Sequence, residues 1–444
     1  MNGSADVTDP SWGRAVASAL QSRVRDSPAI PAEGIVPQCE PQTVRHNSRS
    51  MEPRHGPRLT HCHLFLFGWA YYVLTPLVVG YAGLWFHDVD VWKLGDYYDP
   101  FGPWSGALLL YSALIPLAFL AGNRLAQILR RHRPLVVRVR LANGLLLVLY
   151  AGLLVGYTLA ARALLFGGYF LGFDVGLTGP IATVEMVLLY QYLMCKSAGV
   201  RFYARCFGLM LAANSVVLLS TGGRLYTVSA IVAAFFYYWN WGAKDDAARR
   251  RSAVFMLTVP IVMAALGSWR LGELDLGPLG FYLFAEPVFT SISGVTLVQG
   301  GSWSWLDLPR DFGSAFLNIV PSVFWPGKAD LMVSLLDSDL RLQSPLGAMS
   351  IIASSIGNFG YVGGLTFFVG VGYVMGRARR NATSPVTRAL YCYLSCLLPF
   401  LFFRDPFQIQ IKLVITGFAL VWLHRVLSIV QGRRLSRPVR LLAA

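Results

Sequence analysis

Charged residues are scarce in this chain. Of its 444 residues, 14% are Asp, Glu, Lys or Arg and 55% are hydrophobic. An average soluble domain carries about 25% charged residues, so this composition excludes an ordinary soluble protein. Long apolar runs are present instead, and several have the roughly 20 residues that a helix needs to cross a bilayer. They begin near residues 62, 104, 141, 178, 206, 225, 253, 360, 387 and 411.

Histidine and cysteine are missing where an outer site would use them. No histidine occurs between His132 and His424, which excludes a histidine base from the intervening segments. None of the six cysteines falls in a predicted outer loop, so no disulfide orders those loops. Cys392 and Cys396 lie four residues apart on one helix face, a spacing that fits apolar packing better than a metal site.

The two ends of the chain lack apolar runs. Residues 1–61 are rich in Pro, Ser, Arg and Asp, and they have neither periodicity nor the apolar core of a signal peptide. We interpret them as a disordered cytoplasmic tail, with Met51 as an alternative start. Residues 431–444 are predicted to form a basic cytoplasmic tail, which leaves 62–430 as the transmembrane domain.

The positive charges indicate the topology. Most of the 38 Lys and Arg fall on one side, and more than half of the 23 acids fall on the other. The positive-inside rule then predicts an all-α polytopic membrane protein of about ten transmembrane helices, with both ends inside. The net charge of +15 is explained by contact with membrane lipid, not nucleic acid. The basic segments are 1–61, 124–140, 196–205, 243–252, 377–388 and 425–444.

One long outer loop, residues 270–358, is predicted between spans 7 and 8. Its apolar pieces, near 279–289, 312–325 and 345–360, are expected to lie in the interface or enter the bundle, where they would roof a cavity. Trp303, Trp305 and Trp325 are available to stack on sugar rings or to pack on lipid headgroups.

Four cations, Arg224, Arg270, Arg404 and Lys412, fall at the outer ends of spans. An arginine in the membrane costs roughly 2.5–3.5 kcal/mol, so each needs a partner, a wet cavity or a route to the interface. Three separate hairpins carry these arginines to the same depth. Convergent guanidiniums bind phosphate through paired charge-assisted hydrogen bonds, which favours a lipid-linked pyrophosphate ligand.

Glu185 is the single acid inside a predicted span. An intramembrane carboxylate indicates a functional site. A structural ion pair with Arg224 or Arg270 is an equally good interpretation.

Four short motifs follow one another along the chain. They are Leu218-Leu-Ser-Thr-Gly-Gly-Arg-Leu-Tyr-Thr-Val228, Ile319-Val-Pro-Ser-Val-Phe-Trp-Pro-Gly-Lys328, Gly357-Asn-Phe-Gly-Tyr-Val-Gly-Gly364 and Phe402-Phe-Arg-Asp405. In their order and spacing they resemble motifs of the O-antigen polymerases, which polymerise oligosaccharide repeat units, and more loosely those of the O-antigen ligases that share their layout. Many relatives carry an acid where this chain has Ser354-Ser355, and the ligases have a loop histidine that this chain lacks.

The resemblance implies a reaction at the periplasmic face of the bacterial inner membrane. Undecaprenyl-pyrophosphate-linked repeats would be joined into O-antigen, capsule or exopolysaccharide, without a cofactor and with a separate co-polymerase that sets chain length. A single displacement of this kind inverts the anomeric centre.

The resemblance also assigns candidate roles. Arg270 and Arg404 would hold the pyrophosphate in place of a metal ion, with Arg224 and Lys328 in support and Trp325 on a sugar. A carboxylate is the remaining ordinary base, and Glu286, which precedes Pro287 in an apolar run, is the candidate. Its rivals are Asp307, Asp311 and Asp405.

Two other classes stay open. Asp88-Val-Asp90 and Asp337-Ser-Asp339 match the acid pairs of glycosyltransferases that use polyprenyl-phosphate sugars, although the first outer loop, 87–103, is short for that class. A flippase or other transporter would show repeated, broken spans and mid-membrane charge. The sequence shows no such repeat, and only Glu185 supplies such a charge.

Overall fold

The computed structural model describes twelve stretches of the chain, and every regular element in them is helical. Residues 1–58 and 436–444, which include nearly all of both predicted tails, lie outside the described part. The described residues are 59–81, 102, 104–128, 142–162, 178–221, 223–243, 245–270, 276–300, 304–320, 325, 327 and 348–435.

Fourteen α-helices occur in these stretches, and each of the ten apolar runs overlaps one of them. The helices are α1 His61–Trp69, α2 Thr75–Tyr81, α3 Ser105–Ile128, α4 Ala142–Ala161, α5 Thr178–Ser197, α6 Arg201–Thr221, α7 Arg224–Tyr237, α8 Asp246–Arg270, α9 Leu276–Gln299, α10 Arg310–Leu317, α11 Ile351–Asn381, α12 Pro385–Leu397, α13 Leu401–Arg404 and α14 Phe407–Leu435.

Four helices of the described part are long and apolar enough to cross a membrane. The prediction of ten spans is therefore supported only in its coarser form, as a helical membrane protein. One reason is that α7 and α12 are short, with 14 and 13 residues. The four candidate spans are Ser105–Ile128, Arg201–Ser220, Ile351–Asn381 and Phe407–Leu427, and the shorter Gly144–Leu159 is also apolar.

Small residues bring α3 and α11 into close contact. A Cβ on Gly372 would overlap the Phe119 carbonyl, and one on Gly122 would overlap the Val369 carbonyl. Without side chains there, the two backbones approach each other closely, as is typical of helix pairs in membranes. This pair forms the rigid centre of the bundle.

The first helix is interrupted by a π-helical turn at Ala70–Leu74, between α1 and α2. The Thr75 hydroxyl donates to the Ala70 carbonyl over 2.9 Å at the end of this turn. At the start of α1, buried His61 hydrogen-bonds Tyr391 of α12 at 3.0 Å and Asn123 of α3 at 3.1 Å. These contacts fix α1 against both helices.

Helices α6 and α7 form a tight hairpin, as the glycine pair predicts. The Gly223 N–H donates to the Leu218 carbonyl over 2.8 Å, and α7 begins at the next residue, Arg224. Glu185 of α5 lies buried against α6, where it accepts hydrogen bonds from Asn214 at 2.7 Å and Ser215 at 2.5 Å. Both of these hydrogen-bond donors to Glu185 are neutral, and Arg224, the predicted ion-pair partner, is not one of them.

The chain reverses between α12 and α14 in a short segment that contains α13, which we call the re-entrant turn. Ser384 caps α12, accepting from the Thr387 N–H over 3.2 Å, and Pro385 takes the first helical position. Thirteen helical residues rise only about 20 Å, less than the roughly 30 Å of a bilayer core. The α13 residues Leu401, Phe402 and Phe403 are buried in the bundle. Cys392 and Cys396 of α12 are both fully buried.

The described residues of the predicted long loop are largely helical, and they pack on the bundle. Helix α9 is held to the start of α11, since the Ser350 N–H donates to the Ser293 hydroxyl over 2.9 Å. The Asn–Phe–Gly motif forms a kink in α11, where Gly360 has a φ of 70°. A Cβ there would lie 2.7 Å from the Ser304 carbonyl oxygen, so only glycine fits.

Asn358, beside this kink, docks α10. Its side-chain oxygen accepts from the Asp311 N–H over 2.9 Å at the start of that helix. The motif is therefore explained by backbone geometry and packing.

Candidate functional site

Three charged side chains meet where the re-entrant turn contacts α9. The Arg404 Nε lies 2.6 Å from a carboxylate oxygen of Glu286, and an Arg404 terminal nitrogen lies 2.9 Å from Asp405. Glu286 comes from an apolar piece of the predicted long loop and Arg404 from the last motif, 118 residues apart in the chain. We call Glu286, Arg404 and Asp405 the ion cluster.

The backbone around Arg404 is fixed from several directions. Its carbonyl accepts from the Met349 N–H over 2.8 Å, and the Gln410 amide donates to the carbonyls of Phe402, at 3.0 Å, and Asp405, at 2.5 Å. These hydrogen bonds fix the backbone of the turn from which the Arg404 side chain extends.

The π-helical turn of the first helix lies beside the ion cluster. Tyr72 is 2% exposed and within electrostatic range of all three charged groups. Its hydroxyl has no hydrogen-bond partner among the described residues. Tyr71 lies within electrostatic range of Glu286. Because π-turns occur often at functional sites, and because a buried hydroxyl without a partner is costly, this surface is a candidate for ligand contact.

Helix α7 contributes two residues, Arg224 and Tyr226, to the surroundings of the ion cluster. The Tyr226 hydroxyl lies within hydrogen-bonding reach of the Asp405 carboxylate. Arg224, the first residue of α7, is half-buried and within electrostatic range of Tyr71. The glycine hairpin thus places two of its residues near the re-entrant turn.

The two carboxylates and the guanidinium perturb one another. Burial by itself lowers the pKa of the Arg404 guanidinium, but the Glu286 and Asp405 carboxylates raise it, so that it stays above its usual value. Burial raises the pKa of the Asp405 carboxyl, although Arg404 opposes this. One cation between two acids is a compact site that a further anion could enter only by displacing a carboxylate.

The exposed fractions of the side chains indicate which acid can be displaced. Asp405 is 3% exposed, whereas Glu286 and Arg404 are 27% and 25% exposed. Glu286 and Arg404 are therefore the members that a ligand can reach.

Several predicted site residues are not brought to the cluster or cannot be located. Arg270 ends α8, and its side chain is outside the described part of the chain. Lys328, Trp303 and both acid pairs, at 88–90 and 337–339, also lie outside the described residues. Trp305 and Trp325 are 74% and 38% exposed, as expected for side chains that face a ligand or lipid.

Asp311 and Asp307, two of the other candidate bases, contact residues outside the ion cluster. Asp311 is buried at the start of α10 and is contacted by Asn358. Asp307 is exposed, and its carboxylate accepts from the Leu308 N–H over 2.8 Å. Of the four candidate bases, Glu286 and Asp405 are the ones found beside Arg404.

Three tyrosines of the site, Tyr71, Tyr72 and Tyr226, are missed by the sequence analysis. Tyrosine is common in membrane helices, and the chain has 20 of them. Tyr226 could have been noticed because it lies within the glycine–arginine motif. Tyr71 and Tyr72 carry no sequence signal, since a π-turn cannot be recognised from composition.

No protein-family model, curated protein or solved structure matches this chain.

Proposed function

We propose that this chain is a membrane glycosyltransferase that polymerises undecaprenyl-pyrophosphate-linked oligosaccharide repeats into a surface polysaccharide, at the outer face of a bacterial inner membrane. One observation carries the proposal. Residues of two motifs and of one apolar loop segment, far apart in the sequence, converge on the ion cluster: Arg224 and Tyr226, then Arg404 and Asp405, and Glu286 from the loop segment.

The order of the four O-antigen polymerase-like motifs supports the same class. The places of these motifs in the fold also support a single site. Two of the motifs form the hairpin and the re-entrant turn that reach the cluster, and a third forms the Gly360 kink that docks the loop segment.

Ligand exchange at Arg404 is the first step of the proposed mechanism. Arg404 is already paired with two carboxylates, so a pyrophosphate group competes with them. Glu286 gives way because it is the more exposed acid, while Asp405 keeps its contact. The phosphate oxygens then take the guanidinium face that Glu286 occupied. Arg224, which lies within electrostatic range of Tyr71 beside the cluster, is proposed to add a second cation.

Proton and group transfer follow. Freed from Arg404, the Glu286 carboxylate accepts the proton of an acceptor-sugar hydroxyl. The hydroxyl oxygen attacks the anomeric carbon of the donor chain, the bond from that carbon to the pyrophosphate oxygen breaks, and the electron pair leaves with the lipid pyrophosphate. Arg404 stabilises the negative charge that grows on the leaving group.

A gene deletion with complementation tests the proposal. Gel electrophoresis of surface polysaccharide should show a ladder collapsing to single capped repeats after deletion. Wild-type protein should restore the ladder, and Arg404→Ala or Glu286→Gln should not, at equal protein level. Arg250→Gln, an exposed arginine of α8 far along the chain from the cluster, is the control and should restore it.

Other outcomes separate the alternatives. Intact polymer retained on its lipid carrier would indicate a ligase. An unchanged polysaccharide profile after deletion would reject a polymerase and favour the acid-pair glycosyltransferase or the transporter.

A further inference from the structure

A second site lies at the turn between α5 and α6, remote from the ion cluster. The groove there encloses about 730 Å³, within the roughly 300–1,000 Å³ of small-molecule sites. Its cations lie at the Arg201 end of α6, and the 21 residues of that helix put Arg201 about 30 Å from the Arg224 hairpin. The groove plays no part in the proposed glycosyl transfer.

Three cations line this groove, Lys196, Arg201 and Arg205, and none of its described lining residues is acidic. All three are exposed, and none has an ion pair within the described stretches. Arg201 and Arg205 are four residues apart on one face of α6, where like charges cost a few tenths of a kcal/mol. Charge of one sign along a groove attracts a ligand of the opposite sign.

The local sequence builds the groove through a tight helix end. Gly199, with a φ of 74°, ends α5 in a Schellman motif. The Val200 N–H donates to the Cys195 carbonyl over 3.0 Å, and the Gly199 N–H donates to the Lys196 carbonyl over 3.2 Å. The reversal places Lys196 opposite the first turn of α6, whose positive dipole end adds to the field.

The other end of the groove is apolar. Leu209 lines it and is 73% exposed, and Gly208 lines it beside Leu209. Leu209 follows Arg201 by eight residues, about 12 Å along the helix. Since α6 is a candidate membrane span, this end faces acyl chains. A ligand that matches both ends carries a negative head and a hydrocarbon tail.

We propose that this groove binds an anionic phospholipid, with its phosphate headgroup held by Lys196, Arg201 and Arg205 and its acyl chain along Leu209. A free phosphate would satisfy the cations and leave the apolar end unused. The amphipathic lining therefore favours the lipid.

Native mass spectrometry of the full chain in detergent tests the site, with titration by phosphatidylglycerol, phosphatidylcholine or inorganic phosphate. Wild-type protein should retain phosphatidylglycerol in preference to phosphatidylcholine. The double variant Arg201→Gln/Arg205→Gln should bind phosphatidylglycerol about 30-fold more weakly, on the basis of about 1 kcal/mol for each arginine near a lipid surface. The matched control, Arg250→Gln/Arg251→Gln, removes the same charge from exposed positions outside the groove and should bind as wild type.

Three results would overturn the proposal. Equal loss in both double variants would mean diffuse charge attraction without a site. Equal binding of inorganic phosphate would mean that the cations take a free anion. Unchanged lipid retention in the groove variant would mean that the lipid binds elsewhere. Both variants replace exposed side chains, and their thermal unfolding should match that of the wild type, which distinguishes lost binding from lost folding.

Discussion

At the scale of single residues, the three members of the ion cluster differ in how much each contributes to the stability of the protein. Removing Glu286 leaves the Arg404–Asp405 pair intact, whereas removing Arg404 leaves two carboxylates facing each other with no cation between them. Breaking a buried pair by deleting one partner typically costs about 3–5 kcal/mol. The partial exposure of Glu286 reduces this cost for that acid.

The first prediction is that Arg404→Gln destabilises the protein far more than Glu286→Gln. We expect a loss of about 3 kcal/mol or more in the free energy of unfolding for Arg404→Gln, and about 1 kcal/mol or less for Glu286→Gln. Denaturant unfolding in detergent measures both. Equal losses would show that Arg404 is not shared between the two acids.

The predicted difference in stability decides how the polymer assay is interpreted. Because Glu286→Gln is expected to keep the fold, a loss of polymer in that variant would show that Glu286 takes part in the transfer reaction. The same loss in Arg404→Gln must first be compared with its protein level.

At the scale of elements, glycine spacing on α11 determines how closely it packs on α3. Gly372 lies against the Phe119 backbone, whereas Gly370, two residues earlier, has open space around it. The two positions share a helix and a residue type, which makes them a matched pair.

The second prediction uses that pair. Gly372→Ala should force α3 and α11 apart and destabilise the protein by about 1–3 kcal/mol. Gly370→Ala should be neutral or stabilise by up to about 1 kcal/mol, because alanine favours the helix. The thermal unfolding midpoint of each variant in detergent provides the measurement. Equal midpoints for the two variants would contradict the close approach.

The elements also show where sequence patterns succeed. Apolar runs locate the helices well, because burial in lipid or protein requires apolar length in either case. They do not distinguish a spanning helix from an interior one. Helix α12, nearly all of it buried, has the composition of a span but only about two-thirds of the length that a span needs.

At the scale of the whole molecule, α11 is a candidate membrane span that would connect the two faces. Its segment after the Gly360 kink extends to Asn381, about 32 Å at 1.5 Å per residue, enough to cross the bilayer core. The Asp307 N–H is bonded to the Phe359 carbonyl at 3.1 Å near the kink, and Thr383 follows the other end of the helix.

The third prediction is that positions 307 and 383 lie on opposite sides of the membrane. A protease site inserted after Asp307 should be cut from outside in intact spheroplasts, and one inserted after Thr383 only after lysis. The arginines that end α11, Arg377, Arg379 and Arg380, favour the inner side for Thr383. Cleavage of both sites from one side would show that α11 does not span.

The sequence by itself determined the helical membrane class, the positions of the ten apolar helices and the α6–α7 hairpin. These features depend on local composition, glycine conformation and the cost of placing charge in lipid, which act within a few residues. The sequence also marked Glu286 and Arg404 as candidates, because isolated charges in apolar segments are conspicuous.

Only the tertiary structure decided that Glu286 and Arg404 form an ion pair, that Asp405 shares the guanidinium, and that Tyr72 presents a buried hydroxyl beside them. Likewise, it gave Glu185 the neutral partners Asn214 and Ser215. Such pairings join residues far apart in the chain. They depend on how helices pack in three dimensions, and no local pattern encodes that packing.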